Sequence, residues 1–196
     1  MNTKTRRLTA TALMAALTLI LGLTPLGFLT IPFTTIDITL MCLPVIIGAV
    51  VIGPREGLLL GLLFGLTSMF KAITAPSVLV AALQPFPWAL YPSIFIPRLL
   101  IPMAAWGVWR LTLRLPRAVG LGITAAAGSL TNTVLFLGMF YLLGAQPIAT
   151  HLGMSARAVG IMLATVVLTN GLPEAAAAVL LCVPIILALQ KVMKKD

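Results

Sequence analysis

Two apolar runs that follow each other almost without a break constrain this chain more than any other feature. They are LMCLPVIIGAVVI (40–52) and LLLGLLFGLTSMF (58–70), and only the pentapeptide GPREG (53–57) separates them. Proline after glycine breaks a helix, and the two adjacent charges mark a point where the chain meets water. The pattern predicts a tight hairpin of two membrane helices.

The second run also places a small residue at every fourth position, at Gly57, Gly61 and Gly65. In an apolar helix this spacing makes one face smooth, so that another backbone can approach closely. The sequence leaves open whether the neighbour is a helix of the same chain or another subunit.

Composition extends the membrane interpretation to the whole chain. Of its 196 residues, 60% are hydrophobic and 9% are charged, and the mean hydropathy is +1.13. Soluble domains carry about 25% charged residues, so this chain cannot cover itself with a polar surface. We therefore predict an all-α integral membrane protein with one domain, residues 1–196.

The apolar stretches and their interruptions predict a six-transmembrane-helix bundle. A short extra helix or re-entrant segment (157–169) is expected before the last span, with a break at Asn170–Glu174, and irregular loops are expected at 24–38, 72–91 and 144–156. The six spans are about 8–23, 39–52, 56–71, 89–109, 118–143 and 173–190.

The basic residues predict the orientation of these spans. Ten of the thirteen fall on one side, which the positive-inside rule makes the cytoplasm, so both termini are expected there. The ten are Lys4, Arg6, Arg7, Arg55, Arg110, Arg114, Arg117, Lys191, Lys194 and Lys195. Because these charges lie at the ends of apolar runs, we interpret them as topology signals, with no nucleic-acid partner.

The polar residues that remain inside the spans predict a binding pocket. A charge within a span is costly and usually faces the bundle interior, where it has a partner or a ligand. Four polar side chains, three of them charged, fall in the outer half of the bilayer on four predicted helices: Lys71, Arg98, Asn132 and Glu174. Hydrogen bonds are expected from Thr133, Asn170 and Gln84, and closure of the pocket from Trp88, Tyr91 and Phe33. The alternative is an Arg98–Glu174 ion pair that only holds helices together.

The chain lacks the residues that metal binding, enzyme catalysis and ATP hydrolysis usually require. The chain has four acidic residues, one histidine and two isolated cysteines, Cys42 and Cys182, which predicts neither a metal site nor a cofactor. It has no Gly-x-Ser-x-Gly elbow and no phosphate-binding Gly-x4-Gly-Lys-Ser/Thr motif, so we expect no enzyme and no ATP hydrolysis by this chain alone.

Five stretches in this order resemble the substrate-binding S component of energy-coupling factor (ECF) transporters. They are Ala12-x3-Ala16, Ile36–Ser68, FIPRLL (95–100), GSLTNTVLFLGMFYLL (128–143) and NGLPEA (170–175). The resemblance implies six helices in a bacterial or archaeal plasma membrane and a vitamin substrate held under external loops. The blocks look closest to the pantothenate-type branch, and folate, cobalamin and riboflavin stay open as other vitamin substrates.

The resemblance also implies partners. In that family the small-residue motif of the first helix docks on a transmembrane coupling (T) subunit that two ATPases drive. Here the motif falls on Ala12 and Ala16, and Thr11 and Ala15 are also small and four residues apart. Two rival functions stay open: a self-sufficient facilitator or channel for a small solute, and a membrane enzyme of lipid intermediates.

Overall fold

The computed structural model describes the backbone of residues 3–30 and 37–194. Apart from short turns and one two-stranded ribbon, this part of the chain is helical. The ribbon pairs β1 (Phe28–Thr30) with β2 (Asp37–Thr39) in antiparallel register. The helices are α1 (Thr3–Leu23), α2 (Cys42–Val51), α3 (Pro54–Thr74), α4 (Val78–Leu83), α5 (Pro87–Leu111), α6 (Arg117–Leu152), α7 (Ala156–Val166) and α8 (Leu172–Lys194).

The predicted helical hairpin is confirmed as α2 and α3. Gly53 stands between them with φ of 149°, a conformation that glycine adopts without steric cost. Pro54 lies in the first turn of α3, where a missing N–H breaks no helical hydrogen bond. Arg7 Nη2 donates to Glu56 Oε1 at 2.7 Å, which places the start of α1 beside this turn.

The glycines of α3 serve packing inside the chain. Gly57 lies against α2 and α5, and Gly65 lies against the ring of Phe95. Gly61 approaches the backbone of α5 most closely, because a Cβ added there would lie 2.6 Å from the carbonyl oxygen of Arg98. The smooth face that the sequence predicts is therefore filled by this chain's own helices.

The predicted loop at 144–156 is wrong, because α6 continues to Leu152. Ile148 and Ala149 are buried, and this burial keeps the segment helical although it contains Pro147. The helix ends only at Gly153, whose φ of 64° is left-handed. With 36 residues α6 is about 54 Å long, well above the roughly 30 Å thickness of a bilayer's hydrocarbon core.

The other two predicted loops also contain regular structure. Within 72–91, α4 forms between α3 and α5, and the Ser77 side chain caps it by accepting from the backbone N–H of Val80 at 3.4 Å. Within 24–38 the chain forms a 3₁₀ turn and the β1–β2 ribbon. The Ser77 cap is a local signal that a search for apolar runs overlooks.

The predicted break at Asn170–Glu174 is wrong. The segment before it is helical, as predicted, and forms α7, but it is continuous with the last helix and is not a separate short helix. The chain passes from α7 to α8 through a π-helical turn, Val167–Gly171, without leaving the helix. In a regular helix the ring of Pro173 would clash with the carbonyl four residues earlier, and that carbonyl, at Thr169, lies in the π turn.

Five helical stretches of the described chain are long and apolar enough to cross a membrane, and the 10-residue α2 is a shorter apolar helix. One of the five, Ala156–Lys191, includes both α7 and α8. The others are Lys4–Leu23, Pro54–Thr74, Pro87–Arg114 and Arg117–His151.

The long helices α3, α5, α6 and α8 alternate in direction, whereas α1 runs parallel to α3. Gly61 and Gly65 of α3 meet Arg98 and Phe95 of α5 in reverse order, and the same holds for α6 and α8. The start of α1, the α2–α3 turn, the α5–α6 turn and the end of α8 therefore lie at one end of the bundle. This end carries the predicted cluster of basic residues, and we call it the lower end.

Two apolar cores stabilise the bundle, one near each end. The lower core includes Ile46, Phe64, Ile101, Leu121 and Cys182. The upper core includes Leu83, Leu90, Phe140, Ile148 and Val159. Between the two cores α5, α6 and α8 carry polar residues. We call this level the polar layer, and its members are Arg98, Ser129, Asn132, Thr133 and Glu174.

Candidate functional site

Arg98 is the charged side chain at the centre of the polar layer. Its guanidinium carbon lies 4.7 Å from the ring centroid of Phe136 and 5.5 Å from that of Phe64, within the range of cation–π attraction. Its Nε and Nη1 atoms are buried and have no hydrogen-bond partner. The rings offset part of the cost of burying the charge, but they leave N–H donors that a ligand oxygen could accept from.

One face of α6 supplies the polar groups opposite Arg98. Ser129, Asn132, Thr133 and Phe136 are spaced by three and four residues, so they share one side of the helix. The three polar members are buried, and neither Ser129 Oγ nor Asn132 Oδ1 has a hydrogen-bond partner. Native interiors leave few such atoms unpaired, so three residues with unpaired atoms on facing helices make the polar layer a candidate ligand site.

Glu174 joins three elements beside this face. Its Oε1 accepts from the backbone N–H of Thr39 in β2 at 2.9 Å, and its Oε2 accepts from the Thr133 hydroxyl at 3.2 Å. Both carboxylate oxygens are thus used to hold the ribbon and α6 against α8. Among the residues that the structure describes, Arg7 and Glu56 form an ion pair. Arg98 and Glu174 make no such direct contact, but they are near enough for their opposite charges to attract each other.

The three remaining predicted polar residues lie around the polar layer and not in it. Lys71 is partly buried in the last turn of α3. Gln84 is exposed, and its Nε2 donates to the carbonyl of Ala72 at 3.0 Å, which ties α4 to α3. Asn170 lies in the π turn, where its Oδ1 accepts from the Thr169 hydroxyl at 3.2 Å.

Two of the three predicted aromatic residues, Trp88 and Tyr91, are not brought to Arg98. The Trp88 side chain is 61% exposed and lines a cavity of about 590 Å³ at the upper end, together with Phe86 and His151. Tyr91 lines an apolar groove of about 470 Å³ between α3 and α5. Phe33 lies outside the residues that the structure describes.

Comparison with known proteins identifies the family. The family model for the substrate-specific component of ECF transporters matches residues 6–186. The chain belongs to this family. It is also similar to the "Pantothenic acid transporter PanT" of Lactococcus lactis subsp. cremoris (strain MG1363), with 36% identity over 163 residues, which cover 78% of this chain and 78% of that protein.

The docking face that the sequence predicts for this S component lies on α1. Ala12 and Ala16 are exposed, as are the neighbouring Leu13 and Leu17. Thr11 and Ala15 are partly buried, and Ala15 packs against the lower core. The two pairs therefore differ: Ala12 and Ala16 point away from the bundle, and the other pair points towards it.

Sequence reasoning missed three residues that lie in the polar layer of this S component or beside it. Ser129 was overlooked although it lies three residues before Asn132, a spacing that places both on one helical face. Phe64 and Phe136 follow the pattern of ordinary apolar positions, and nothing in their local sequence indicates that they flank a guanidinium group.

Proposed function

We propose that this S component is the pantothenate-binding membrane subunit of an ATP-driven importer. It captures the vitamin on the outer face of a prokaryotic plasma membrane and has no catalytic activity of its own. The family membership and the similarity to a pantothenic acid transporter support the proposal.

The observation that carries the proposal is the Arg98 guanidinium with two buried, unpartnered nitrogens. Pantothenate carries one carboxylate, which is ionised at neutral pH. Binding it at Arg98 would pair the buried positive charge and replace missing hydrogen bonds with charge-assisted ones. Lys71 would add positive potential near the entrance, and Asn132 and Thr133 would form one wall of the site. In this proposal Glu174 holds the wall in place through Thr133.

The orientation follows from the basic lower end. We place that end in the cytoplasm by the positive-inside rule, with both termini there and six crossings. α2 is too short for a full crossing, so the chain before it, from the ribbon to Met41, would complete the second crossing inside the bundle. The N–H of Thr39 is bonded to Glu174, as backbone at membrane depth requires.

Turnover would need other subunits. We propose that a transmembrane coupling subunit docks on the exposed Ala12 and Ala16 face of α1, and that two ATPases drive it. The small side chains would let a partner helix approach the α1 backbone closely.

Equilibrium binding of radiolabelled pantothenate to the purified protein tests the site. We expect Arg98→Met to weaken binding about 10- to 150-fold, the range for losing charged hydrogen bonds of about 1.5–3 kcal/mol. Arg110→Met is the matched control, because Arg110 stacks on Trp106 at the lower end, 5.4 Å from the ring centroid. Wild-type protein that binds no pantothenate, or equal affinity in both variants and wild type, would contradict the proposal.

Reconstitution separates the proposal from its rivals. Proteoliposomes that contain only this chain should take up no pantothenate, and uptake should appear when the coupling subunit and ATPases are added with ATP. Robust uptake by the chain alone would favour the facilitator. Chemical conversion of a lipid intermediate by the purified chain would favour the enzyme.

A further inference from the structure

The polar layer contains two unpartnered groups that a carboxylate at Arg98 does not use. They are Ser129 Oγ and Asn132 Oδ1, on the α6 face that Arg98 approaches. Ser129 is 1% exposed and Asn132 is 7% exposed, so water reaches neither readily. The Cys42 thiol is the polar group that interacts with Ser129, but a thiol is a weak hydrogen-bond partner, and Cys42 Sγ already donates to the Thr39 carbonyl oxygen at 3.6 Å.

The depth of these groups relative to Arg98 is fixed by the helix register. Ser129 precedes Phe136, the residue whose ring Arg98 faces, by seven residues, or about 10 Å along the helix axis. Asn132 lies between these two levels. A ligand held by Arg98 that extends towards the lower core would therefore pass Asn132 and end near Ser129.

We propose that Ser129 and Asn132 form a second subsite that recognises hydroxyl groups at the end of the ligand opposite its carboxylate. This inference rests on the proposed function, and it deepens it by naming the residues that select among carboxylic acids. The subsite takes a hydroxylated acyl group and rejects an alkyl group of the same shape.

The chemistry of the two atoms selects this ligand group. Asn132 Oδ1 accepts only, so its ligand partner must carry O–H or N–H. Ser129 Oγ can donate or accept, and a hydroxyl can do both in return. A second carboxylate would place negative charge against the Asn132 oxygen, and an alkyl group would leave both buried atoms unpaired.

The size of the ligand agrees with this spacing. Extended pantothenate has about the length of a tripeptide backbone, roughly 10 Å, with its carboxylate at one end and its hydroxyls at the other. One molecule can therefore reach Arg98 and Ser129 together. The apolar surface beyond Ser129, which includes Ala125 of the lower core, would close the site.

A matrix of three ligands and four proteins tests the subsite. The ligands are pantothenate, its analogue with both hydroxyls replaced by hydrogen, and pantothenol, in which the carboxylate becomes an alcohol. The proteins are wild type, Ser129→Ala, Arg98→Met and Thr131→Val. Thr131 is the matched control, because it lies on the same helix and its hydroxyl donates to its own backbone at Ala127 (2.7 Å).

The wild-type protein should bind the dehydroxylated analogue at least about 100-fold more weakly than pantothenate, because a site built for hydrogen bonds rejects a ligand without them. Ser129→Ala should reduce this ratio about tenfold and leave the ratio of pantothenate to pantothenol unchanged. Arg98→Met should reduce the ratio of pantothenate to pantothenol and leave the ratio of pantothenate to the dehydroxylated analogue unchanged. Thr131→Val should change neither ratio.

Each failure has a separate meaning. If wild-type protein binds no pantothenate, the proposed function is wrong. If it binds pantothenate but accepts the dehydroxylated analogue within a few fold, or if Ser129→Ala weakens all three ligands equally, the subsite is wrong while the proposed function stands. Ser129→Cys replaces Ser129→Ala if the alanine variant does not fold, and Asn132→Leu tests the second residue by the same two ratios.

Discussion

Replacing Gly61 by alanine tests the packing that positions Arg98. In the structure the new Cβ would lie 2.6 Å from the Arg98 carbonyl oxygen and 3.3 Å from Pro102 Cγ. An ordinary contact needs about 3.4 Å, so α3 and α5 would have to separate by about 0.8 Å at this point. The clashing atom belongs to the backbone, so no side-chain rotation can relieve the contact.

The expected cost follows from two opposing effects. Overpacking costs about 1–3 kcal/mol, and the upper part of this range, about 2–3 kcal/mol, applies here because the clashing atom belongs to the backbone. Alanine regains up to about 1 kcal/mol because it has the better helix propensity. We therefore expect a net loss of about 1–2 kcal/mol, which lowers the melting temperature by about 2–8 °C for a chain of this size. Because the displaced backbone carries Arg98, pantothenate affinity should fall as well.

Thermal unfolding of the purified protein in detergent measures this effect. Gly107→Ala in α5 and Gly138→Ala in α6 are the matched controls, because a Cβ at either glycine meets nothing within 4 Å. Both controls should be as stable as wild type or slightly more stable. If Gly61→Ala melts together with the controls and binds pantothenate normally, close packing at Gly61 does not position Arg98.

Two further predictions concern Glu174 and α1. Thr133→Val removes the hydroxyl that donates to Glu174 Oε2, and it should lower the free energy of unfolding by about 1–3 kcal/mol in a thermal unfolding experiment. Thr133→Ser keeps a hydroxyl and should retain most of this stability. Equal stability of the two variants would argue against this hydrogen bond. Leucine at both Ala12 and Ala16 should abolish ATP-driven uptake in the reconstituted transporter while stability and pantothenate affinity stay at wild-type values, because both positions are exposed. Normal uptake by that variant would exclude this face as the docking surface.

The local sequence was sufficient for the positions of the long helices. The apolar runs place α1, α3 and α5 within a few residues, and Gly53-Pro54 locates the α2–α3 turn, because apolar length and helix-breaking residues act locally. Where the sequence prediction fails, tertiary burial decides. Pro147 lies inside a helix because the neighbouring Ile148 and Ala149 are buried in the upper core.

The candidate site could be predicted only in part. Arg98 and Asn132 stand out in the sequence because polar groups in apolar spans are costly, and the structure places both in the polar layer. Trp88 and Tyr91 carry the same kind of local signal, yet they face the upper cavity and the α3–α5 groove. The direction of a side chain depends on helix rotation, which neighbouring helices set.

The sequence by itself determined that this chain belongs in a membrane, which end is basic, and which polar residues have no place in lipid. These properties follow from composition and charge position, which folding does not change. Only the tertiary structure decided which surface the glycines of α3 contact, that Glu174 is bonded to Thr39 and Thr133, and that Arg98 lies against two aromatic rings. These contacts join residues far apart in the chain, and they exist only once the helices have packed.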